Sequence, residues 1–161
     1  MTEKEMFLNS YEREFEITLK FLNAYPTESP DFRPYPQAQT AKELAWSFVQ
    51  EDRALISGAL EGNVVFTQES VPETLDDIKT AYETNHRTFA EKIKNFLDDA
   101  FNEMITFGSD ADHIVPMRRG DVLWLALIDA AHHRGQFSVY IRMAGGSVPP
   151  LYVAAGEEKK K

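Results

Sequence analysis

The 161-residue chain contains no cysteine. This excludes a disulfide scaffold, a thiolate zinc site and a cysteine nucleophile, and it suits a reducing compartment. No run approaches the roughly 18 apolar residues of a membrane span. The opening "MTEKEMFLNS" lacks a basic stretch followed by an apolar one, so no signal peptide is expected and the cytoplasm is the expected location. Positive charge is also scarce: 17 Lys and Arg against 26 Asp and Glu give a formal net charge of −9. Such a surface repels phosphate backbones, so neither nucleic acid nor membrane is an expected partner. The sequence shows no Gly-rich phosphate loop, no internal repeat and no low-complexity segment. What remains is 43% hydrophobic and 27% charged, ordinary for a globular chain of about one domain.

Thr2 and Glu5 form a T-x-x-E capping box, which predicts a helix from about residue 3. Its stripe Phe7, Leu8, Tyr11, Phe15, Thr18, Leu19, Leu22 has the helical period, and Pro26 stops it at Ala24–Tyr25. Four prolines between 26 and 39 predict an extended ordered loop, with Phe32 and Tyr35 packing down. Thr40 and Glu43 begin a second helix that ends between Gly58 and Gly62, with Leu44, Phe48, Glu51 and Leu55 on one face and Ser47 beside them. "NVVFTQESV" is β-branched but has no obvious partner, so it is expected to be a connection. Ser70 with Glu73, and Pro72 in the first turn, predict the start of a third helix whose stripe runs from Leu75 through His86 to Phe96. Residues 98–117 predict a short helix at 98–105 and then turns. A fourth helix is expected from about Arg118 to Ala144, capped by Gly145-Gly146 and closed by Pro149-Pro150. Four amphipathic helices without a strand pattern predict an all-α up-down four-helix bundle over residues 1–152, with a flexible tail of acidic and basic residues at 153–161. The last helix is apolar nearly all round over 122–131 and is expected to be the most buried.

Polar residues interrupt that apolar helix in "LALIDAAHHRGQFSVYIRM", residues 125–143. Asp129 and His133 are i and i+4, on one face that Leu125, Gln136 and Tyr140 extend, while His132 is turned toward a different neighbour. Carboxylate oxygen and imidazole nitrogen together suit a divalent ion such as zinc, nickel, iron or manganese. Further ligands would come from other helices, and Glu51 and His86 are the candidates. The competing reading is structural, with Asp129 accepting a hydrogen bond from the His133 ring. Arg134 and Arg142 read as helix-face charges that find carboxylates, and His113 as a solvated loop residue. Neither a Ser-His-Asp nor a paired-carboxylate signature stands out.

The run "HHRGQFSVYIRMAGGSVPPLY" (132–152) resembles the closing motif of the DinB-like superfamily. "TAKELAWSFVQED" (40–52) resembles the start of that family's second helix, and "EREFEITLKFLNAYP" and "DFRPYPQAQTAKEL" fit as well. The resemblance covers about residues 5–152. It implies an up-down four-helix bundle, usually a homodimer, in a superfamily that includes metal-dependent thiol transferases and isomerases. Its metal sites use three histidines, and the matching positions here are Ser47, Asp129 and His133. Only one is histidine, so the resemblance implies a degenerate site. Three outcomes follow: a metal kept with altered ligands, a pocket that binds a small molecule without metal, or a cluster that only stabilises helix packing.

Overall fold

The computed structural model describes residues 1–108 and 113–152. Among them four long helices form a bundle, and a small three-stranded sheet closes one end. The expected tail at 153–161 lies outside the described residues.

Helix α1 (Glu3–Ala24) starts where the capping box places it: Thr2 Oγ1 accepts the Glu5 amide, and the Glu5 carboxylate accepts the Thr2 amide. Tyr25, ahead of Pro26, is already extended. In the proline-rich loop Phe32 packs on the core and meets the Tyr140 ring edge-on, whereas Tyr35 stays exposed. Helix α2 (Ala41–Glu51) opens on the second box, Thr40 with Glu43. The Thr40 amide donates to the Glu43 carboxylate at 2.6 Å and holds its pKa below the ordinary value.

After Glu51 the helix widens into a π-helical segment, Asp52–Ser57, then tightens for one last turn, Gly58–Glu61. Gly62 ends it with a left-handed φ of 83°. Gly58 must lack a side chain, because a Cβ there would lie 2.8 Å from the Cα of Val64. That close approach comes from strand β1 (Asn63–Val65) folding back on the helix.

Helix α3 (Leu75–Lys94) is capped by Thr74, not by Ser70. Thr74 Oγ1 accepts the Asp77 amide at 3.1 Å, and Leu75 is the first residue that reaches the core. The Ser70–Glu73 box therefore falls in the preceding connection. The expected stripe is buried at Leu75, Ile78, Tyr82, His86, Phe89 and Ile93.

A 3₁₀ turn (Asp98–Asn102) leads to β2 (Met104–Gly108) and β3 (Ile114–Arg118), which pair antiparallel with Ile105 opposite Met117. Strand β1 joins β2 in parallel, with Val64 opposite Phe107. The segment read as an unpartnered connection therefore begins with a strand, and its partner lies some 40 residues downstream. The helix expected at 98–105 is shortened to the 3₁₀ turn because Ile105 belongs to β2.

Helix α4 (Arg119–Met143) packs on α1 and α2, as does α3. One core cluster gathers Phe21, Leu22, Leu44, Val49, Ile78, Phe137 and Ile141. The other, toward the sheet, gathers Phe7, Ile56, Ile93, Phe101, Val122 and Leu123. α4 is not buried all round: Ile128 is 66% exposed, Met143 54% and Val139 47%. Its inner faces are taken by α1 and α2, and its outer face has no neighbouring element among the described residues.

Candidate metal centre

The seam between α2 and α4 brings together Glu51 from the end of α2 and Asp129 and His133 from one face of α4. One ligand atom from each lies within 4.8 Å of the others. All three side chains are partly buried. The His133 ring is held in place from both sides. Its Nδ1 lies 3.1 Å from the Asp129 backbone carbonyl, and an N–H there donates to it. The Asp129 carboxylate is farther, at 3.8 Å. Phe48 meets the ring edge-on at 6.2 Å between centroids. With Nδ1 committed to a carbonyl, Nε2 is the free end of the imidazole, and it points at Glu51 Oε1 across 3.1 Å. The exposed His132 turns away and only abuts the His133 ring, 5.4 Å between centroids.

Burial raises the Glu51 pKa to about 7; the His133 hydrogen bond opposes this and the Asp129 carboxylate adds to it. His133 is raised in turn, chiefly by its hydrogen bond to Glu51. Both shifts favour the protonated form, Glu51 because it is buried and His133 because it faces Glu51. The hydrogen bond expected from the His133 ring to Asp129 is present, and the acceptor is the Asp129 carbonyl. The two carboxylates stand close together beside the ring, and Glu51 is hydrogen-bonded both to His133 and to Asp129.

Ser47 is one helical turn before Glu51 and buried, with 8% exposure. Its hydroxyl donates back to the Glu43 carbonyl at 3.3 Å and accepts from Gln39 Nε2 at 3.5 Å. It lines the same cleft as Glu51, with Gln50, Ala54, Phe66, Thr67 and Gln68, a space of about 310 Å³ open to solvent. Gln136 is exposed, and the Tyr140 hydroxyl donates to the Gln39 carbonyl at 2.9 Å, tying the proline-rich loop to α4. His86 is not brought to the group. It lies on the α1–α3 seam, stacked on Phe15 at 3.8 Å, with Nε2 2.9 Å from Glu12. Its desolvation there lowers its pKa.

Two features behind the site go beyond the sequence reading, which gave no role to Asp52 and read Arg134 only as a helix-face charge that finds a carboxylate. The Asp52 carboxylate, first residue of the π segment, accepts the Tyr11 hydroxyl at 3.2 Å, and burial pushes its pKa up to about 7. Glu51, Asp52, Tyr11, Glu14 and Tyr82 line an enclosed cavity of about 20 Å³, large enough for a water. Arg134 is not a surface charge but is 2% exposed. It donates to Glu14 at 2.6 Å, to Thr18 Oγ1 at 3.1 Å and to the Tyr152 hydroxyl at 3.0 Å. The motif that contains both Arg134 and Tyr152 was the available signal. Glu14 carried none, since one acid on an α1 face cannot be told from a solvated one.

The whole-chain comparisons agree with this fold. The DinB family model matches residues 1–160. The uncharacterised protein YrdA of Bacillus subtilis (strain 168) is 31% identical over 162 residues, covering 96% of this chain and 91% of that protein. The crystal structure of a DinB-like protein from Bacillus cereus ATCC 10987 superposes with a TM-score of 0.79 at 28% identity, over 92% of this chain and 97% of that one. That of a DinB-like protein from Bacillus subtilis, YjoA, gives 0.72 at 16% identity, over 91% and 97%, and speaks for the fold alone.

Proposed function

The chain belongs to the DinB family, and on that premise we propose that it is a metal-dependent enzyme whose divalent ion is held by Glu51, Asp129 and His133. The observation that carries this reading is the convergence of two carboxylates and a correctly presented imidazole nitrogen within 4.8 Å. Zinc, nickel, manganese and iron all accept such a mixed oxygen and nitrogen set. Asp129 and Glu51 supply the negative charge that a neutral Ser47 hydroxyl cannot. A bound ion of this kind acts as a Lewis acid that lowers the pKa of a water or a thiol.

The protein's own groups do the rest. The Asp129 carbonyl fixes the His133 tautomer and ring orientation. To hold an ion Glu51 and His133 would have to be deprotonated, and since both pKa values are raised, affinity would increase with pH. The cleft at Ser47 and Phe66 receives a small-molecule substrate for thiol transfer or hydrolysis. We assign the reaction to the cytoplasm, in keeping with the absence of cysteine.

A second reading has its own support. The His133–Glu51 pair satisfies both groups without an ion, and Ser47 stands where the resemblance expects histidine. The bundle would then bind a small molecule or a protein partner without catalysis. Calorimetric titration of chelator-free protein with zinc, nickel and manganese separates the two. One ion per chain, lost in His133→Ala and Asp129→Ala while helicity is retained, supports the first. No saturable binding of any of the three overturns it.

A further inference from the structure

The chain has five glutamines, at positions 37, 39, 50, 68 and 136, and all five line two clefts along α2. Gln50 and Gln68 belong to the cleft that Glu51 borders. Gln37, Gln39 and Gln136 line a second, of about 410 Å³, between the proline-rich loop, α2 and α4. The clefts meet where Gln39 Nε2 donates to Ser47 Oγ at 3.5 Å. Gln136 lies one turn beyond His133 on α4, so the second cleft also starts beside the candidate metal centre.

Charge is missing from both. In a chain of which 27% is charged, Glu51 is the one charged residue among the described residues that line either cleft. Cations on the neighbouring segments are committed elsewhere. Arg53 pairs with Glu69 and donates to Asn85 Oδ1 at 3.3 Å, and Arg33 donates to the Pro36 carbonyl at 3.3 Å. Each cleft also presents an exposed ring, Tyr35 in one and Phe66 in the other, at 59% and 45% exposure. A glutamine side chain donates and accepts through one planar, uncharged amide. A carboxylate, phosphate or ammonium entering here would lose hydration and find no counter-ion, whereas a ligand amide finds its complement. Rings with a few neutral polar groups are the usual lining of a small-molecule site.

We propose that the molecule bound beside Glu51, Asp129 and His133 is an uncharged, amide-bearing one with aromatic groups, of the size of a short blocked peptide. It lies along α2 through both clefts. Its amides pair with the glutamines, and its rings lie on Tyr35 and Phe66. Gln50 Nε2 already donates to the Glu69 carbonyl at 3.4 Å, so its Oε1 accepts from the ligand. This names the substrate class for the function proposed above and rests on that reading for the chemistry, while binding to the glutamines needs no ion.

The probe is the peptide acetyl-Phe-Gly-Gly-Phe-amide, titrated into the metal-free full chain. Glutamine side-chain amides give their own signals in nitrogen–proton correlation NMR. Those of Gln39, Gln50 and Gln136 should shift together and saturate. Phe66→Ala should weaken binding at least about tenfold. Freeing either end of the peptide, to a carboxylate or to an ammonium, should do the same, since neither charge finds a partner. Gln136→Arg, at an exposed position, should restore binding of the carboxylate form with unchanged circular dichroism. A peptide ending in a hydroxamate, which ligates divalent ions, should be tightened by zinc. Glutamine shifts without that zinc effect would reject the metal and leave this proposal standing. Saturable zinc binding without glutamine shifts would overturn this proposal and leave the metal standing. Shifts confined to one cleft, or equal binding of the charged and uncharged peptides, would also overturn it.

Discussion

His133 and Arg134 are neighbours on α4, yet the fold treats them in opposite ways. Arg134 points into the α1–α4 seam, where Glu14, Thr18 and Tyr152 share its guanidinium and the Tyr152 hydroxyl donates on to Glu14 at 3.1 Å. That network is closed. His133 points into the α2–α4 seam, where its Nε2 meets one carboxylate and a second stands beside it, and Glu51 also borders a cleft open to solvent. That network still has lone pairs to offer. One helical step thus separates a charge group saturated by the protein from one that a ligand could complete. A buried, fully paired ion group serves the architecture, whereas a half-exposed set of converging donors is where binding energy is available.

The most severe way to break this comparison is Arg134→Ala. It removes the buried partner of the Glu14 carboxylate, leaving only the largely exposed Arg13 and the Tyr152 hydroxyl, and should cost about 3 kcal/mol in urea unfolding. His133→Ala should cost far less, because Glu51 can keep its proton. Equal losses would show that both seams are structural. Ser47→His adds an imidazole to the open seam and should tighten zinc binding about tenfold, or ~1.4 kcal/mol by calorimetry. Unchanged affinity would place residue 47 beyond ligand reach.

The next test concerns pH. Asp52 keeps its proton in the fold up to about 7, against an ordinary value of 3.8. Through that window the folded chain binds more protons than the unfolded one, so this group's contribution to stability falls as pH rises. Asp52→Asn should therefore raise the melting temperature above neutral pH and leave it nearly unchanged in acid. A variant whose pH profile matches the wild type would remove Asp52 from the account. The mildest change is Tyr152→Phe. It deletes a hydroxyl on the rim of the closed seam, from a residue that is 63% exposed, and should cost about 1 kcal/mol or less.

Local signals in the sequence were reliable where the physics is local. The boxes at Thr2 and Thr40, the stop before Pro26 and the left-handed cap at Gly145 all act within a few residues, and each is found. Thr74 displaced Ser70 because two overlapping cap patterns compete and only packing of Leu75 selects between them. The sheet was hidden because β1 pairs with a strand some 40 residues away and β3 carries Pro116, which reads as a turn residue. The i, i+4 spacing of Asp129 and His133 was legible in α4. Which candidate would join them, Glu51 or His86, was not, because that depends on how α2 and α3 are rotated about the core.

The sequence by itself therefore determined the helices, their order and the face of α4 that carries the polar group, since periodicity and caps are short-range properties. Only the tertiary structure decided the partners. It set Glu51 against His133, sent His86 to Glu12, and buried Arg134 on Glu14. Each pairing joins residues 74 to 120 positions apart, and helix rotation and interhelical contact, rather than local propensity, bring such residues together.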